Sequence, residues 1–142
     1  MDKAVRLVKS DTDYAMRMLV YLAMNGGDGM VSAATLSKKQ KIPLDFAYKI
    51  LQKLCRAKIV KSLKGAKGGF SLLKEAQQIT LLDVMETVQG PLIIRPCLLD
   101  DKACPVRPSC PVSTRLRQLQ ENLRESMRNL TLAEILNAKR GD

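Results

Sequence analysis

Residues 31–70 constrain the fold more than any other part of this 142-residue chain. They hold ten basic side chains (Lys38, Lys39, Lys41, Lys49, Lys53, Arg56, Lys58, Lys61, Lys64 and Lys67) against one acid, Asp45, a net +9 out of +10 for the whole chain. Residues 1–30 balance at four against four, and residues 71–142 come to +1. A solvated lysine-rich face explains part of this excess but gives no reason to exclude acids. A polyanion partner does, because each neutralised phosphate releases counterions and adds salt-sensitive affinity. Nucleic acid is favoured over a membrane surface, since the block is not one amphipathic helix with a bulky apolar face.

Periodicity inside and before the block predicts three helices and a ribbon. SDTDYAMRMLVYLAMNGG reads as a helix capped by Ser10 or Asp11, with Tyr14, Met18, Tyr21 and Leu22 on one stripe and Gly26-Gly27 at its end. Ser32 caps a short helix, AATLSKKQK, with Ala33, Leu36 and also Ala34 expected inward. After a break at Ile42-Pro43, PLDFAYKILQKLCRAK forms a third helix, with Pro43 in its first turn. Ala47, Ile50, Leu51, Leu54 and Cys55 make its core stripe, and Tyr48, Lys49, Gln52, Lys53 and Arg56 its polar face. Cys55 is expected to be a buried thiol. A short helix, a tight turn and a helix with a basic face follow helix-turn-helix logic.

Two β-like runs, Ile59–Leu63 and Phe70–Leu73, then flank Lys64-Gly65-Ala66-Lys67-Gly68-Gly69. This is a two-stranded ribbon with a basic glycine tip, a wing, whose glycines let backbone approach a phosphate or groove wall. The rival, a nucleotide-binding loop, lacks both a P-loop pattern and a following phosphate-binding helix. The fold class is therefore mainly α with a small β wing, a winged helix-turn-helix domain followed by a long helix.

Further on, Thr80 caps LLDVMETVQ, with Asp83 in capping-box position and Gly90 ending the helix. Ser113–Leu130 reads as a long helix with Leu116, Leu119, Leu123, Met127 and Leu130 at spacings of three, four, four and three. That stripe can pack on the domain's own core or pair with a second copy in a homodimer, and pairing is the expectation. Thr131 and Glu134 open a terminal helix, LAEILNAK. The expected division is a DNA-binding domain over 1–90, a cysteine loop over 91–112, and a dimerisation helix with a terminal helix over 113–142. No apolar run approaches the roughly 18 residues of a membrane span. The first residues lack the apolar core of a signal peptide, so a cytoplasmic location is expected.

Between LLDVMETVQ and the long helix lies RPCLLDDKACPVRPSC, with Cys97, Cys104 and Cys110 separated by six and five residues, three prolines and no histidine. Asp100, Asp101, Lys102 and Arg107 unsuit it for a core. Three thiolates on a proline-stiffened loop can close around one soft metal centre. A fourth cysteine, Cys55, lies far off, and four cysteines fit no dense disulfide framework. An enzyme is disfavoured: the chain has no Cys-x-x-Cys pair, no histidine base and no nucleotide fingerprint.

Taken together, KSDTDYAMRMLVYLA, IPLDFAYKILQKLCRAKIV, SLKGAKGGFSL, ITLLDVMETVQG, the three-cysteine loop and NLTLAEIL resemble the Rrf2 family of winged-helix transcription regulators, which includes the iron–sulfur regulators of IscR and NsrR type. The resemblance runs from Arg6-Leu7 to about Asn137. It implies a homodimer on a palindromic promoter site of double-stranded DNA, with repression the expected mode. It places Ser32, Pro43, Leu44, Asp45, Tyr48, Lys49 and Gln52 at or near the DNA, Asp45 and Tyr48 where relatives contact bases, and Lys64, Gly65, Lys67 and Gly68 in the wing contact. Lys41, Lys53 and Lys61 join this set through the basic block.

The resemblance also implies that Cys97, Cys104 and Cys110 bind an iron–sulfur cluster (4Fe–4S or 2Fe–2S). IscR-type proteins carry a histidine three residues after the third cysteine, whereas this chain has Ser113 there and no histidine anywhere. The first two cysteines are also one residue further apart than in the commonest form. The fourth ligand then comes from elsewhere (a carboxylate, water, a small thiol or Cys55); in NsrR-like members it is an aspartate in the first helix, and the Thr-Asp-Tyr context matches Asp13 here. Three thiolates and one weaker oxygen ligand suit a sensor of nitric oxide, redox or iron status. The alternative role for Asp13 is a helix-start acid favoured by the macrodipole. For the cysteines, the alternative is a cluster-free regulator that uses a disulfide or zinc bound by three cysteines and Asp13.

Overall fold

The computed structural model describes residues 4–27, 29–95, 98 and 110–141. In chain order these form α1 (Ser10–Asn25), α2 (Ala33–Gln40), α3 (Leu44–Arg56), β1 (Val60–Leu63), β2 (Gly69–Leu72), a 3-10 turn (Ala76–Gln78), α4 (Leu81–Val88), α5 (Pro111–Asn129) and α6 (Leu132–Gly141). The expected fold class holds: the chain is mainly helical with one small antiparallel ribbon.

The main core gathers one stripe from each of α1 to α4. Met18 and Leu19 of α1, Leu36 of α2, Leu51 and Leu54 of α3 and Val84 of α4 are completely buried in it, with Leu132 of α6. A second, smaller core joins α4 to α5 through Leu82, Met85, Leu92 and Met127. An antiparallel bridge between Thr80 and Thr131 holds the start of α4 beside the start of α6, with Leu81 N–H donating to the Leu130 carbonyl at 2.8 Å.

Several helix ends differ from the sequence reading. Neither Ser10 nor Asp11 caps α1; the N-cap is Lys9 with no side-chain bond, because the helix already includes both residues. Ser32 does cap α2 and Thr80 caps α4, through the N–H groups of Thr35 and Asp83. Ala34 is exposed, not inward, since a two-turn helix offers the core only the Ala33–Leu36 edge. Two helices end on lysines in the left-handed region, Lys41 (φ 55°) and Lys58 (φ 61°), where glycine is the usual residue. Ile42 N–H returns to the Ser37 carbonyl, and Ile59 N–H to that of Leu54, so each turn satisfies helix-end carbonyls and buries the isoleucine that follows.

The ribbon pairs Val60 with Leu72 and Leu63 with Gly69. It is fastened to the segment before α2 by a bridge between Val31 and Phe70, with N···O distances of 2.9 and 2.7 Å. That third pairing is absent from the sequence reading, because a single extended residue carries no periodicity.

Candidate nucleic-acid interface and cysteine segment

The exposed side of α3, the start of α2 and the inner face of the ribbon enclose a groove of about 670 Å³. Ser32, Tyr48, Gln52, Arg56, Lys64 and Phe70 are among its lining residues. The local cause is α3 itself: Ala47, Ile50, Leu51 and Leu54 face the core, so Asp45, Tyr48, Lys49, Gln52 and Arg56 must face out. Ser32 accepts from Thr35 N–H at 3.1 Å, which sets the start of α2 at the groove wall.

The remaining predicted positions distribute unevenly. Lys41, Pro43 and Leu44 are exposed across the turn between α2 and α3, and Lys64, Gly65 and Lys67 are exposed on the wing tip. Lys53 turns away from the groove, because its Nζ donates to the Val88 carbonyl at the end of α4, 3.3 Å away. Lys61 also departs from the groove, lining a hollow beside Leu22, Gly26 and Ser71 on the other face of the ribbon. Strand alternation explains this, since Lys61 and Ser62 must point to opposite faces.

The wing glycines divide in the same way. At Gly65 (φ +110°) a Cβ would meet open space, so close approach to a phosphate is unobstructed there. At Gly68 a Cβ would fall 2.0 Å from the Leu63 carbonyl oxygen, so the ribbon's own turn requires that glycine. Sequence reasoning also passed over Phe46, which is exposed on α3 with Lys49 Nζ 5.8 Å from its ring centroid. A helical wheel would have found it, because position 46 lies off the core stripe.

Cys55 is half-buried and not fully buried; it lines the same groove. Burial pushes its thiol above the ordinary range, and a hydrogen bond with Ser62 offsets part of that. Its place on the edge of the core stripe leaves one side open to the groove.

Of the predicted metal ligands, Cys97 and Cys104 lie outside the described residues. Cys110 is the N-cap of α5, and its Sγ accepts from Ser113 N–H at 3.5 Å. The helix therefore starts at Pro111, with proline in its first turn, two residues before the predicted Ser113. Asp13 is exposed in the first turn of α1 and ion-paired to Arg17 Nε at 3.2 Å. Among the described residues no three His, Cys, Asp or Glu side chains gather as a metal site. A half-buried thiol at the edge of the segment and an accessible carboxylate are chemically suited to a thiolate-rich centre with one oxygen ligand.

The predicted pairing stripe on α5 is divided by the fold. Met127 is buried against α4 with Leu123 beside it, whereas Leu119 is 55% exposed. Leu116 is half-buried, and Leu130 lies just past the helix as its C-cap. Gln120, buried on the inner face, accepts from Ile94 N–H at 3.0 Å and holds the chain leaving α4 against α5.

The profile of the Rrf2 family, described as an iron-dependent transcriptional regulator, matches residues 8–138. A protein of Aquifex aeolicus (strain VF5) bearing the name of an HTH-type transcriptional regulator is 32% identical over 134 residues, covering 92% of each chain. Protein aau3 of Rhizobium meliloti (strain 1021) is 31% identical over 136 residues, 95% of this chain and 87% of its own. Among solved structures, CymR (YrzC), the global cysteine regulator of B. subtilis, superposes with a TM-score of 0.77 at 20% identity, over 94% of this chain and 98% of that one. The IscR of T. potens does so with a TM-score of 0.73 at 22% identity, over 94% and 88%. At those identities the two structures show a shared fold.

Proposed function

The chain belongs to the Rrf2 family of DNA-binding transcriptional regulators, and from that premise we propose that it is a homodimeric repressor whose promoter affinity follows an iron–sulfur cluster responding to nitric oxide, redox or iron status. The observation that carries the DNA half is the convergence of α2, α3 and the wing on one groove within a block of ten basic residues and one acid. On this reading α3 enters a major groove and each wing tip lies against the backbone, with Lys64 and Lys67 positioning the protein. A dimer would present two such units to a palindromic site. No helix among the described residues is long and apolar enough to cross a membrane.

The sensing half rests on the cysteine trio and on what flanks it. Cys97, Cys104 and Cys110 would hold the cluster, with Asp13 as the oxygen ligand; when bound, the cluster supplies an iron open to attack by a small oxidant or nitric oxide. The chain leaves α4 at Gln89, packs Leu92 against α5, is held there by the bond from Ile94 to Gln120, and Cys110 caps α5. Val88 accepts from Lys53 of α3, and Gln89 Nε2 donates to the Leu7 carbonyl before α1 at 3.1 Å. A shift of that last turn would therefore reach both the recognition helix and the helix that carries Asp13. A switch of this kind needs a differential affinity of only a few kcal/mol.

The test is purification without oxygen, followed by promoter binding. The cluster reading expects brown protein with visible absorbance, bound iron and sulfide, and an affinity that changes when nitric oxide is added. Colourless protein with stoichiometric zinc, or with no metal, defeats it. The second reading, a cluster-free thiol-redox or zinc-dependent regulator of the same fold, draws support from the likeness to a cysteine regulator's structure and from the missing histidine.

A further inference from the structure

The first two turns of α3 carry three exposed apolar side chains, Leu44, Phe46 and Tyr48, at 44%, 45% and 47% exposure. The core does not need them, because Ala47, Ile50, Leu51 and Leu54 already fill the buried side of the helix. They also stand in the most basic part of the molecule, so the partner that covers them carries negative charge. Lys49 Nζ lies over the Phe46 ring, which keeps a cation and an apolar plane side by side on one surface.

A recognition helix presents its N-terminal residues to base edges. On those edges, within the major groove, the one apolar group is the C5-methyl of thymine. Tyr48 lines the groove with Leu44 one turn before it, and Phe46, two positions from each, lies on the opposite flank of α3. Each is matched to a methyl group on its own side, while Asp45, an acceptor, fits only the exocyclic amines of cytosine or adenine. Resting on the reading that α3 enters the major groove, we propose that the operator half-site is organised around thymine methyl groups and that Phe46 is a specificity-determining residue for them. The basic side chains nearby supply affinity without sequence; the apolar trio supplies the choice of base.

The experiment uses the full-length protein and duplexes selected by it from a random library. Each thymidine in the selected half-site is replaced in turn by deoxyuridine, which keeps the pairing pattern and removes only the methyl. Binding is measured by fluorescence anisotropy for wild type and for Phe46→Ala, with circular dichroism confirming that the exposed truncation folds. The expected result is thymine at fixed positions and a loss of about fourfold per methyl removed, the worth of one buried carbon. At the position read by Phe46, the Phe46→Ala protein should bind thymine and uracil duplexes alike.

Wild type that prefers the selected duplex over a scrambled one, yet binds the uracil forms equally, overturns the methyl reading and leaves DNA binding standing. Wild type with no preference for any duplex removes both. A Phe46→Ala protein that keeps the full uracil effect and loses self-association in sedimentation shows that the ring faces another copy of the chain, which also overturns the proposal.

Discussion

The hydroxyl of Thr12, completely buried in α1, donates to the side-chain oxygen of Gln89 at the C-cap of α4. The same oxygen accepts from Lys9 N–H at 2.9 Å, and the Gln89 amide donates to the Leu7 carbonyl. One side chain thus serves three groups at the start of α1. It joins the helix bearing Asp13 to the point where the chain enters the cysteine segment.

Gln89→Ala leaves the Thr12 hydroxyl buried without its acceptor. Stability should fall by about 1–3 kcal/mol, the cost of an unsatisfied buried polar group. Thr12→Val, which removes the hydroxyl as well, should recover part of that loss in the double variant. Urea unfolding of the three variants measures it, and strictly additive losses would show that the pair is not coupled.

Lys64→Ala or Lys67→Ala on the wing should weaken binding similarly on all duplexes and lower the salt slope by about one phosphate contact. Lys61→Ala should change the slope less, because Lys61 lines the opposite face of the ribbon. Titrations across a range of salt concentrations check this. Equal slopes for all three variants would remove the wing assignment.

Cys110 has a structural duty as the cap of α5 that is separable from any metal duty. Serine is a good N-cap, so Cys110→Ser should melt within a few degrees of wild type. It removes a thiolate, and iron retained after anaerobic reconstitution should drop sharply. Full iron occupancy in this variant would exclude Cys110 from the ligand set.

Met127 and Leu119 share a stripe in the sequence but not an environment in the fold. Met127→Ala should cost about 2–5 kcal/mol, as a large-to-small change in the core between α4 and α5. Leu119→Arg should leave thermal stability of the monomer nearly unchanged and move the protein from dimer to monomer in sedimentation equilibrium. A dimer that survives the Leu119→Arg change intact would mean that α5 does not pair.

Cys55 tests the groove from within. Its folded thiol titrates above the ordinary range, so the folded state holds this proton more tightly than the unfolded chain does. The resulting stability is present below the unfolded value and lost as pH rises through the folded one. Alkylation by iodoacetamide should therefore need a higher pH than a free thiol, and bound DNA should slow it, since Cys55 lines the groove. Alkylation at the rate of a free thiol, indifferent to DNA, would contradict both statements.

Much of the fold is legible in the chain because local signals and core stripes agree. The stripe of α3, the caps at Ser32 and Thr80, and the basic glycine tip each follow from residue type and spacing. What the chain does not signal shares a cause. Lys41 and Lys58 take left-handed turns because the isoleucines after them gain burial, a tertiary benefit that their own side chains do not signal. Lys53 and Lys61 leave the groove through a distant carbonyl and a strand's alternation, and neither is visible in a count of charges.

The class of this protein follows from the chain alone: a basic helix-turn-helix with a wing, a cysteine trio without histidine, and a long helix with an apolar stripe. Those are statements about periodicity, charge and residue chemistry, which are local properties. Which members of each set act together emerges only when the elements pack. Packing sent Met127 inward and Leu119 outward, gave Cys110 a cap to fill, opened Cys55 to the groove, and set Gln89 against Thr12 across 77 positions of sequence. Hydrogen bonds and burial are satisfied between elements, and no pattern within one element records which neighbour will meet it.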